Sequence, residues 1–224
     1  MALPTHRTFH GTQMADSFLS LRNKKIWILL NTSWNVFNFR LGLLRALQAQ
    51  GAQITVLTPK DDYSSQLEAE GFVWLDIVMD NQGNNPKHDL KLLLDYYRLF
   101  KTNQPDIILS YTIKPNIYAT IAAHFLGIPV IANVAGLGTL FIRRTWLTRV
   151  VVPLYRFALQ RAAHIFFQNL DDQQLFLEHG IVRHSRFSRI AGSGIDLQRF
   201  ALTPLPPSTT DTFCFILIGR LLKD

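Results

Sequence analysis

Hydrophobic and polar positions along the chain fall into blocks that predict strands and helices in turn. The first block, Ile26–Leu30, holds five apolar residues, which is typical of a short strand buried on both faces. Polar residues dominate the next stretch, Asn31–Asn38. After it, Phe39, Leu43 and Leu47 recur with helical spacing. Strand, polar loop and amphipathic helix together form the first unit of a βαβ crossover.

The same alternation continues along most of the chain. Gly51 is placed to end the first helix. Further strands are predicted at Gln53–Thr58, Phe72–Ile77, Asp106–Ser110, Val130–Val134, His164–Gln168 and Arg186–Ala191. Helices are predicted from Asp61 and Asp62 to Gly71, at His88–Asn103, Ile117–Leu126 and Leu170–His179, and at Thr145–Ala163 with a kink or break at Pro153. This order predicts an α/β fold, a Rossmann-like doubly wound parallel sheet.

Open parallel sheets bind ligands where their strands end, so the loop Asn31–Asn38 is the first place to expect a site. The loop contains no glycine. A dinucleotide site needs glycines there because a Cβ blocks the approach of the pyrophosphate, and a P-loop needs glycines and a lysine. Dehydrogenase and P-loop ATPase functions are therefore disfavoured.

Composition shifts divide the chain into regions. Residues 1–23 are predicted to be a flexible tail and residues 24–203 the Rossmann-like domain. Three prolines make residues 204–211 a predicted linker, and a strand at Phe213–Ile218 would begin a second domain, truncated, over residues 212–224. The single cysteine, Cys214, is typical of a reducing compartment.

The net charge of +7 is unevenly distributed, since no Asp or Glu lies between Asp106 and Asp171. That interval holds six basic residues: Lys114, Arg143, Arg144, Arg149, Arg156 and Arg161. The block favours an anionic partner such as a membrane surface. An ordinary solvated helix face at Thr145–Ala163 remains the alternative. No nucleic-acid-binding motif accompanies the charge, so no nucleic-acid partner is expected.

Six short motifs occur in an order that resembles glycosyltransferase family 4. They are NTSWNVFNFR (Asn31–Arg40), YTIKP (Tyr111–Pro115), GLG (Gly136–Gly138), FQNLDD (Phe167–Asp172), GSGID (Gly192–Asp196) and GRLLKD (Gly219–Asp224). The resemblance, closest to the capsule and polyprenyl-diphosphate-linked oligosaccharide transferases, covers nearly everything from Lys24 onward. It implies the N-terminal half of a GT-B fold, in which two Rossmann-like domains face each other across a cleft.

The resemblance also implies an activity and its partners. Such enzymes transfer a sugar, here a hexose or HexNAc, from a nucleotide sugar with retention of the anomeric configuration. They need no cofactor and no metal. A UDP-linked donor, a lipid-diphosphate-linked or polysaccharide acceptor and a peripheral location on the cytoplasmic face of the plasma membrane are expected. A 224-residue fragment of this kind is expected to be inactive alone. The alternative from the charge pattern is a non-catalytic module that binds anionic lipid or polyanions.

Site residues follow from the motifs. The acceptor-binding residues implied by the resemblance are Asn31, Ser33, Asn38, Arg40, Lys114, Gly136, Gly138 and Arg143. The donor-binding residues implied are Gly194, Asp196 and Arg220, with the second-domain acidic motif of the family lacking a counterpart. Tyr111 and Ala135 stand where many members carry a histidine, so no catalytic residue is assigned.

Overall fold

The described residues form one seven-stranded sheet with helices on both faces. The computed structural model describes residues 21–81, 85–136, 146–182, 186–203 and 215–218. These residues fall into two compact units, one ending at Gly194 and one beginning at Ile195. The described strands and helices all lie in the first unit.

All seven strands run parallel, in the order β3-β2-β1-β4-β5-β6-β7. Their bounds are β1 (Lys25–Leu29), β2 (Gln53–Thr58), β3 (Val73–Asp76), β4 (Ile107–Tyr111), β5 (Val130–Val134), β6 (His164–Phe167) and β7 (Phe187–Arg189). The predicted doubly wound sheet is confirmed. Strand order reverses between β1 and β4, so the carboxyl ends of these two strands form the topological switch point.

The helices cross between the strands. They are α1 (Ser33–Phe39), α2 (Leu41–Ala49), α3 (Ser64–Ala69), α4 (Pro86–Asn103), α5 (Thr120–His124), α6 (Trp146–Leu159) and α7 (Leu170–Glu178), with a π-helical turn at Pro115–Ala119. Gly51 follows α2 with φ +87°, a conformation that favours glycine, and so ends the helix as predicted. Pro153 lies within α6, which runs through it as one helix.

Strand β1 shows why the sheet is covered on both sides. Its side chains point alternately to opposite faces. Trp27 and Leu29 pack in the cluster that contains Phe100 of α4. Ile28 belongs instead to the cluster that contains Leu44 of α2. Because both faces of β1 are buried, an uninterrupted apolar run was required there, and its sequence predicted the strand correctly.

Two segments that follow strands are largely helical, and one of them is the predicted loop Asn31–Asn38. The stretch Asn31–Asn38 becomes helix from Ser33, because the Thr32 hydroxyl accepts a 3.2 Å hydrogen bond from the backbone N–H of Asn35 and caps α1. The segment after β4 is helical from Ile113, only two residues beyond the strand.

The buried stripe of α4 comprises Leu92, Tyr96 and Phe100, whereas Leu90 and Leu94 are exposed. Two further predictions were wrong in detail. Helix α3 begins at Ser64 rather than at the aspartates before it. The described part of the predicted strand at 213–218, residues 215–218, forms no strand and is at least 82% exposed. No described strand pairs with those four residues, and a strand is not stable without a partner.

Two buried tyrosines give a matched test of the core. Tyr96 and Tyr155 are both almost fully buried, but only Tyr155 hydrogen-bonds, to the side chain of Asn116. The Tyr96 hydroxyl has no hydrogen-bond partner among the described residues. Tyr96→Phe should therefore raise the free energy of unfolding by about 1 kcal/mol, whereas Tyr155→Phe should lower it by about 1 kcal/mol. Urea denaturation measures both, and the opposite ranking would contradict the hydrogen-bond assignment.

Candidate functional site

The site lies at the switch point, where β1 and β4 end side by side. Leu29 and Ser110 are register partners near the ends of the two strands. The chain leaves β1 towards α1 and leaves β4 through Thr112 towards the π-helical turn. Each predicted acceptor residue of the first two motifs is therefore carried on a segment that starts at this edge.

Arg40 is the most unusual side chain of this region. It occupies the break between α1 and α2 and is only 7% exposed. Its guanidinium carbon lies 4.5 Å from the centroid of the Tyr111 ring, and its Nη1 donates to the Phe39 carbonyl oxygen at 3.4 Å. Its Nε is buried and unpaired, and no described carboxylate forms a salt bridge with it.

An isolated buried cation is costly, and the structure shows that cost. Burial lowers the pKa of Arg40, while the neighbouring Tyr111 raises it by a smaller amount. The free-energy cost of burying a cation is offset when an anion binds to it with good geometry. Guanidinium groups bind phosphate and carboxylate through two parallel charge-assisted hydrogen bonds. Among the described residues, no carboxylate offsets the burial of Arg40.

The chain next to Arg40 is strained. Thr112 has φ +63°, the left-handed region, which a β-branched residue rarely adopts. Its hydroxyl donates to the Tyr111 carbonyl oxygen at 2.6 Å. The π-helical turn follows three residues later. Strained backbone and π-helical turns cluster at functional sites, so both features make the end of β4 a candidate site.

The ring of Tyr111 packs against the guanidinium of Arg40. It is 6% exposed, and burial raises the pKa of its hydroxyl, an effect partly opposed by Arg40. The phenol is therefore neutral at physiological pH, and its ring face contacts the cation. Tyr111, to which no catalytic role is assigned, therefore contacts Arg40 in this structure.

Lys114, the second predicted acceptor cation, is engaged with α4. Its Nζ lies 2.6 Å from Oδ1 of Asp89, and both side chains are less than a fifth exposed. The other oxygen of Asp89 accepts a 2.8 Å hydrogen bond from Tyr118. Burial, then the hydrogen bond to Asp89, raises the pKa of Tyr118. The lysine thus fastens the segment after β4 to α4.

The predicted residues Ser33 and Asn38 of α1, and Asn31 just before it, take part in hydrogen bonds within the chain. The buried Ser33 hydroxyl lies 2.6 Å from that of Thr58, at the end of β2, and 3.0 Å from that of Ser64. The Asn31 carbonyl oxygen accepts a hydrogen bond from the amide of Asn81. The amide of Asn38 donates to the Trp34 carbonyl oxygen at 2.9 Å.

The N-terminus of α1 is also occupied. Thr32 caps it, and an oxygen of Asp61 accepts a 3.0 Å hydrogen bond from the backbone N–H of Trp34. A phosphate approaching this end would meet a carboxylate. In the first motif, therefore, the helix terminus is already occupied, whereas Arg40 has no carboxylate partner among the described residues.

A chain of polar groups, not found from the sequence, crosses the ends of β4, β5 and β6, and its members Ser110, Asn116 and Asn133 are buried. The Asn116 side chain accepts from the Ser110 hydroxyl at 2.7 Å and donates to the Asn133 carbonyl oxygen at 2.9 Å. The amide of Gln168 donates to Oδ1 of Asn133 and to the Ser193 hydroxyl, each at 3.2 Å. Polar residues at the ends of otherwise apolar strands were the available signal.

The remaining predicted residues are dispersed. Gly136 has φ +149° and open space where a Cβ would stand. Gly194, with φ +76°, ends the first unit. Asp196 belongs to the second unit, where its Oδ1 accepts from the backbone N–H groups of Gln198 and Arg199, as in a tight turn. Gly138, Arg143 and Arg220 lie outside the described residues.

Three members of the basic block make contacts within the chain. Besides Lys114, Arg156 donates to the His179 carbonyl oxygen at the end of α7, and Arg161 donates to the Phe157 carbonyl oxygen. Arg143 and Arg144 lie outside the described residues, as does the side chain of Arg149.

In the described ranges no helix is both long and apolar enough to cross a bilayer. The same ranges hold no cluster of three or more His, Cys, Asp or Glu residues suited to a metal ion.

Sequence comparison gives the family. Residues 25–169 match the family described as glycosyl transferase 4-like. The chain belongs to this family. A similar protein from Campylobacter jejuni, N,N'-diacetylbacillosaminyl-diphospho-undecaprenol alpha-1,3-N-acetylgalactosaminyltransferase, is 25% identical over 79% of this chain and 48% of its own length. UDP-Gal:alpha-D-GlcNAc-diphosphoundecaprenol alpha-1,3-galactosyltransferase from Escherichia coli is 26% identical over 59% of this chain and 36% of its own length.

The family's fold agrees with the structure. Anabaena HepE, solved in complex with UDP-glucose, superposes with a TM-score of 0.58 at 16% identity, over 80% of this chain and 46% of HepE. The seven-stranded sheet thus matches the N-terminal half of a GT-B structure. This chain spans about half the length, or less, of the relatives it matches. The predicted family and fold are confirmed.

Proposed function

We propose that this chain forms the acceptor side of a retaining glycosyltransferase that moves a hexose or HexNAc from a UDP-sugar to an acceptor linked to a lipid diphosphate. Membership of the glycosyl transferase 4-like family supports the reaction class. The two curated relatives are named for acceptors on diphospho-undecaprenol, and HepE is named in complex with UDP-glucose. Proteins acting on such acceptors work at a membrane, so we further propose a peripheral location on its cytoplasmic face.

One observation carries the proposal. Arg40 is a buried guanidinium at the switch point of the sheet, 4.5 Å from the ring centroid of Tyr111, and it has no carboxylate partner among the described residues and an unpaired Nε. The diphosphate of the acceptor supplies the oxyanion that this group lacks. Gly136 and Gly138 let the acceptor approach the backbone, and Arg143 adds positive charge. Asn31, Ser33, Asn38 and Lys114 shape the surrounding elements.

The donor side is the second part of the proposal. Residues from 212 onward would begin the donor domain after a linker at 204–211, and Gly194, Asp196 and Arg220 would face the nucleotide sugar. Retaining transfer relies on the leaving diphosphate and on the orientation of the two substrates, so it does not require the histidines that Tyr111 and Ala135 replace. The 224-residue chain is expected to bind acceptor without transferring sugar.

A calorimetric titration tests this assignment. The chain should bind geranylgeranyl diphosphate and inorganic pyrophosphate, and it should bind UDP-GlcNAc at least about tenfold more weakly than geranylgeranyl diphosphate, since the proposed donor contacts lie mostly beyond this half. Incubation with UDP-GlcNAc and a lipid-linked acceptor should give no product. Tighter binding of the UDP-sugar than of either diphosphate acceptor mimic would overturn the assignment.

The non-catalytic alternative makes a different prediction. A module that binds polyanions through the basic block would bind heparin and pyrophosphate with an affinity that depends on the arginines of α6. Its affinity for heparin and pyrophosphate would not change when Arg40 is replaced. The described contacts of Arg156 and Arg161 favour the glycosyltransferase proposal, because both guanidinium groups already bind carbonyl oxygens of this chain.

A further inference from the structure

Three large apolar side chains of α1 and α2 are exposed. Trp34, Phe39 and Leu43, here called the α1–α2 ridge, are 45%, 46% and 41% exposed. The rings of Trp34 and Phe39 meet edge to face, with centroids 5.4 Å apart. The core is filled instead by Val36 and Leu44 of the same two helices. The ridge is therefore not needed for the fold, and its apolar surface is available to a ligand.

The α1–α2 ridge lies next to Arg40 in the chain. Phe39 directly precedes Arg40, whose Nη1 donates to the Phe39 carbonyl oxygen. The Arg40 side chain turns inward over Tyr111 while the Phe39 side chain is exposed. An oxyanion held by Arg40 thus has apolar surface next to it. A ligand with a charged head and an apolar tail can satisfy both features at once.

The charges on the two helices indicate which apolar ligand fits. Helices that lie on a bilayer present several free Lys or Arg side chains to the lipid headgroups. Residues 33–49 contain only Arg40 and Arg45 as basic residues. Arg40 is buried, and Arg45 forms a two-pronged ion pair with Glu70 at 2.8 and 2.7 Å. The ridge therefore suits a single hydrocarbon chain attached to the bound anion better than a bilayer surface.

We propose that the α1–α2 ridge binds the polyprenyl chain of a lipid diphosphate whose diphosphate group contacts Arg40. This inference rests on the proposed function and deepens it, because it assigns the part of the acceptor beyond its charged group. The first isoprene units lie on Phe39 and Trp34, and Leu43 extends the apolar track. Recognition of the lipid thereby adds to recognition of its diphosphate.

A titration series with chain length as the variable tests the ridge. The ligands are inorganic pyrophosphate, dimethylallyl diphosphate and geranylgeranyl diphosphate, each below its aggregation limit, with the 224-residue chain. Affinity should rise along the series, by at least about tenfold from the first ligand to the last. Phe39→Ser and, separately, Leu43→Ser should remove most of this gain and leave pyrophosphate affinity within about twofold.

Phe125→Ser is the matched control. Phe125 is 67% exposed at the C-terminal end of α5, which leads into the amino end of β5 and so lies at the opposite edge of the sheet. This variant should keep the full gain with chain length. Emission from the exposed Trp34 should also shift to the blue with geranylgeranyl diphosphate and not with pyrophosphate.

The outcomes separate the two levels of the proposal. If affinity does not rise with chain length while pyrophosphate binding still requires Arg40, the ridge assignment is overturned and the anion site stands. If no ligand requires Arg40, the proposed function falls as well. If Phe39→Ser weakens binding to phosphatidylcholine vesicles that lack any prenyl diphosphate as much as it weakens geranylgeranyl diphosphate binding, a bilayer occupies the ridge and the polyprenyl assignment is wrong.

Discussion

Arg40→Met should make the protein more stable and at the same time remove most of its affinity for diphosphates. Methionine is similar in length, carries no charge and packs well in irregular apolar surroundings. Arg40 is 7% exposed and has no carboxylate partner among the described residues, so the folded state holds a desolvated charge. Replacing such a charge by an apolar side chain should raise the free energy of unfolding by about 1 to 3 kcal/mol.

The loss of binding follows from the same isolation. An oxyanion bound at the switch point has Arg40 as its buried donor, and removing one partner of a buried charged pair typically costs about 2 kcal/mol or more. Pyrophosphate affinity should therefore fall at least about 30-fold. Urea denaturation and calorimetric titration of the same preparation measure the two effects.

Arg45→Met is the matched control for this substitution. Arg45 lies five residues further on, but it is half-exposed and paired with Glu70. Its replacement should lower stability by less than about 1 kcal/mol and leave pyrophosphate affinity unchanged. Equal losses of binding in the two variants, or a marked destabilisation by Arg40→Met, would show that Arg40 is an ordinary structural cation.

Asn116→Ala should cause the largest loss of stability. Asn116 is 1% exposed, and its side chain hydrogen-bonds the Ser110 hydroxyl, the Asn133 carbonyl oxygen and the Tyr155 hydroxyl. Alanine leaves all three groups buried without this partner. Since each lost partner costs about 1 to 3 kcal/mol, a decrease of about 3 to 5 kcal/mol is expected. A domain is commonly stable by only about 5 to 15 kcal/mol, so the variant should be partly unfolded near its working temperature.

Asn103→Ala provides the comparison for that measurement. Its side chain makes a single 2.8 Å hydrogen bond, to the Leu99 carbonyl oxygen near the end of α4. Its loss should cost less than about 1 kcal/mol. If Asn116→Ala and Asn103→Ala unfolded at the same urea concentration, the hydrogen bonds of Asn116 would not stabilise the ends of β4 and β5.

The sequence predicted the strands well because their signals are local. The central strands β1, β2 and β5 are largely buried, so their apolar runs were easy to recognise. Gly51 shortly before β2 and Pro129 directly before β5 helped to mark where those strands begin. The predicted loop at Asn31–Asn38 failed because polar residues at a helix N-terminus resemble a loop. Thr32 followed by Ser33 was the capping signal that could have corrected it.

The contacts within the candidate site were harder to predict from the sequence than the fold. The first motif indicated Arg40, but neither its burial nor its isolation can be read from residue type, because both depend on where β4 lies. The pairing of Lys114 with Asp89 joins residues 25 positions apart. The chain from Ser110 through Asn116 to Asn133 joins the ends of two strands. Such contacts are set by the order of strands in the sheet, which the sequence pattern does not specify.

A crystal structure of this chain with bound geranylgeranyl diphosphate would test the central claim most directly. The account predicts a phosphate oxygen about 2.7 to 2.9 Å from the Arg40 guanidinium, at the carboxyl ends of β1 and β4. A diphosphate bound only to the arginines of α6, with Arg40 still unpaired over Tyr111, would contradict it.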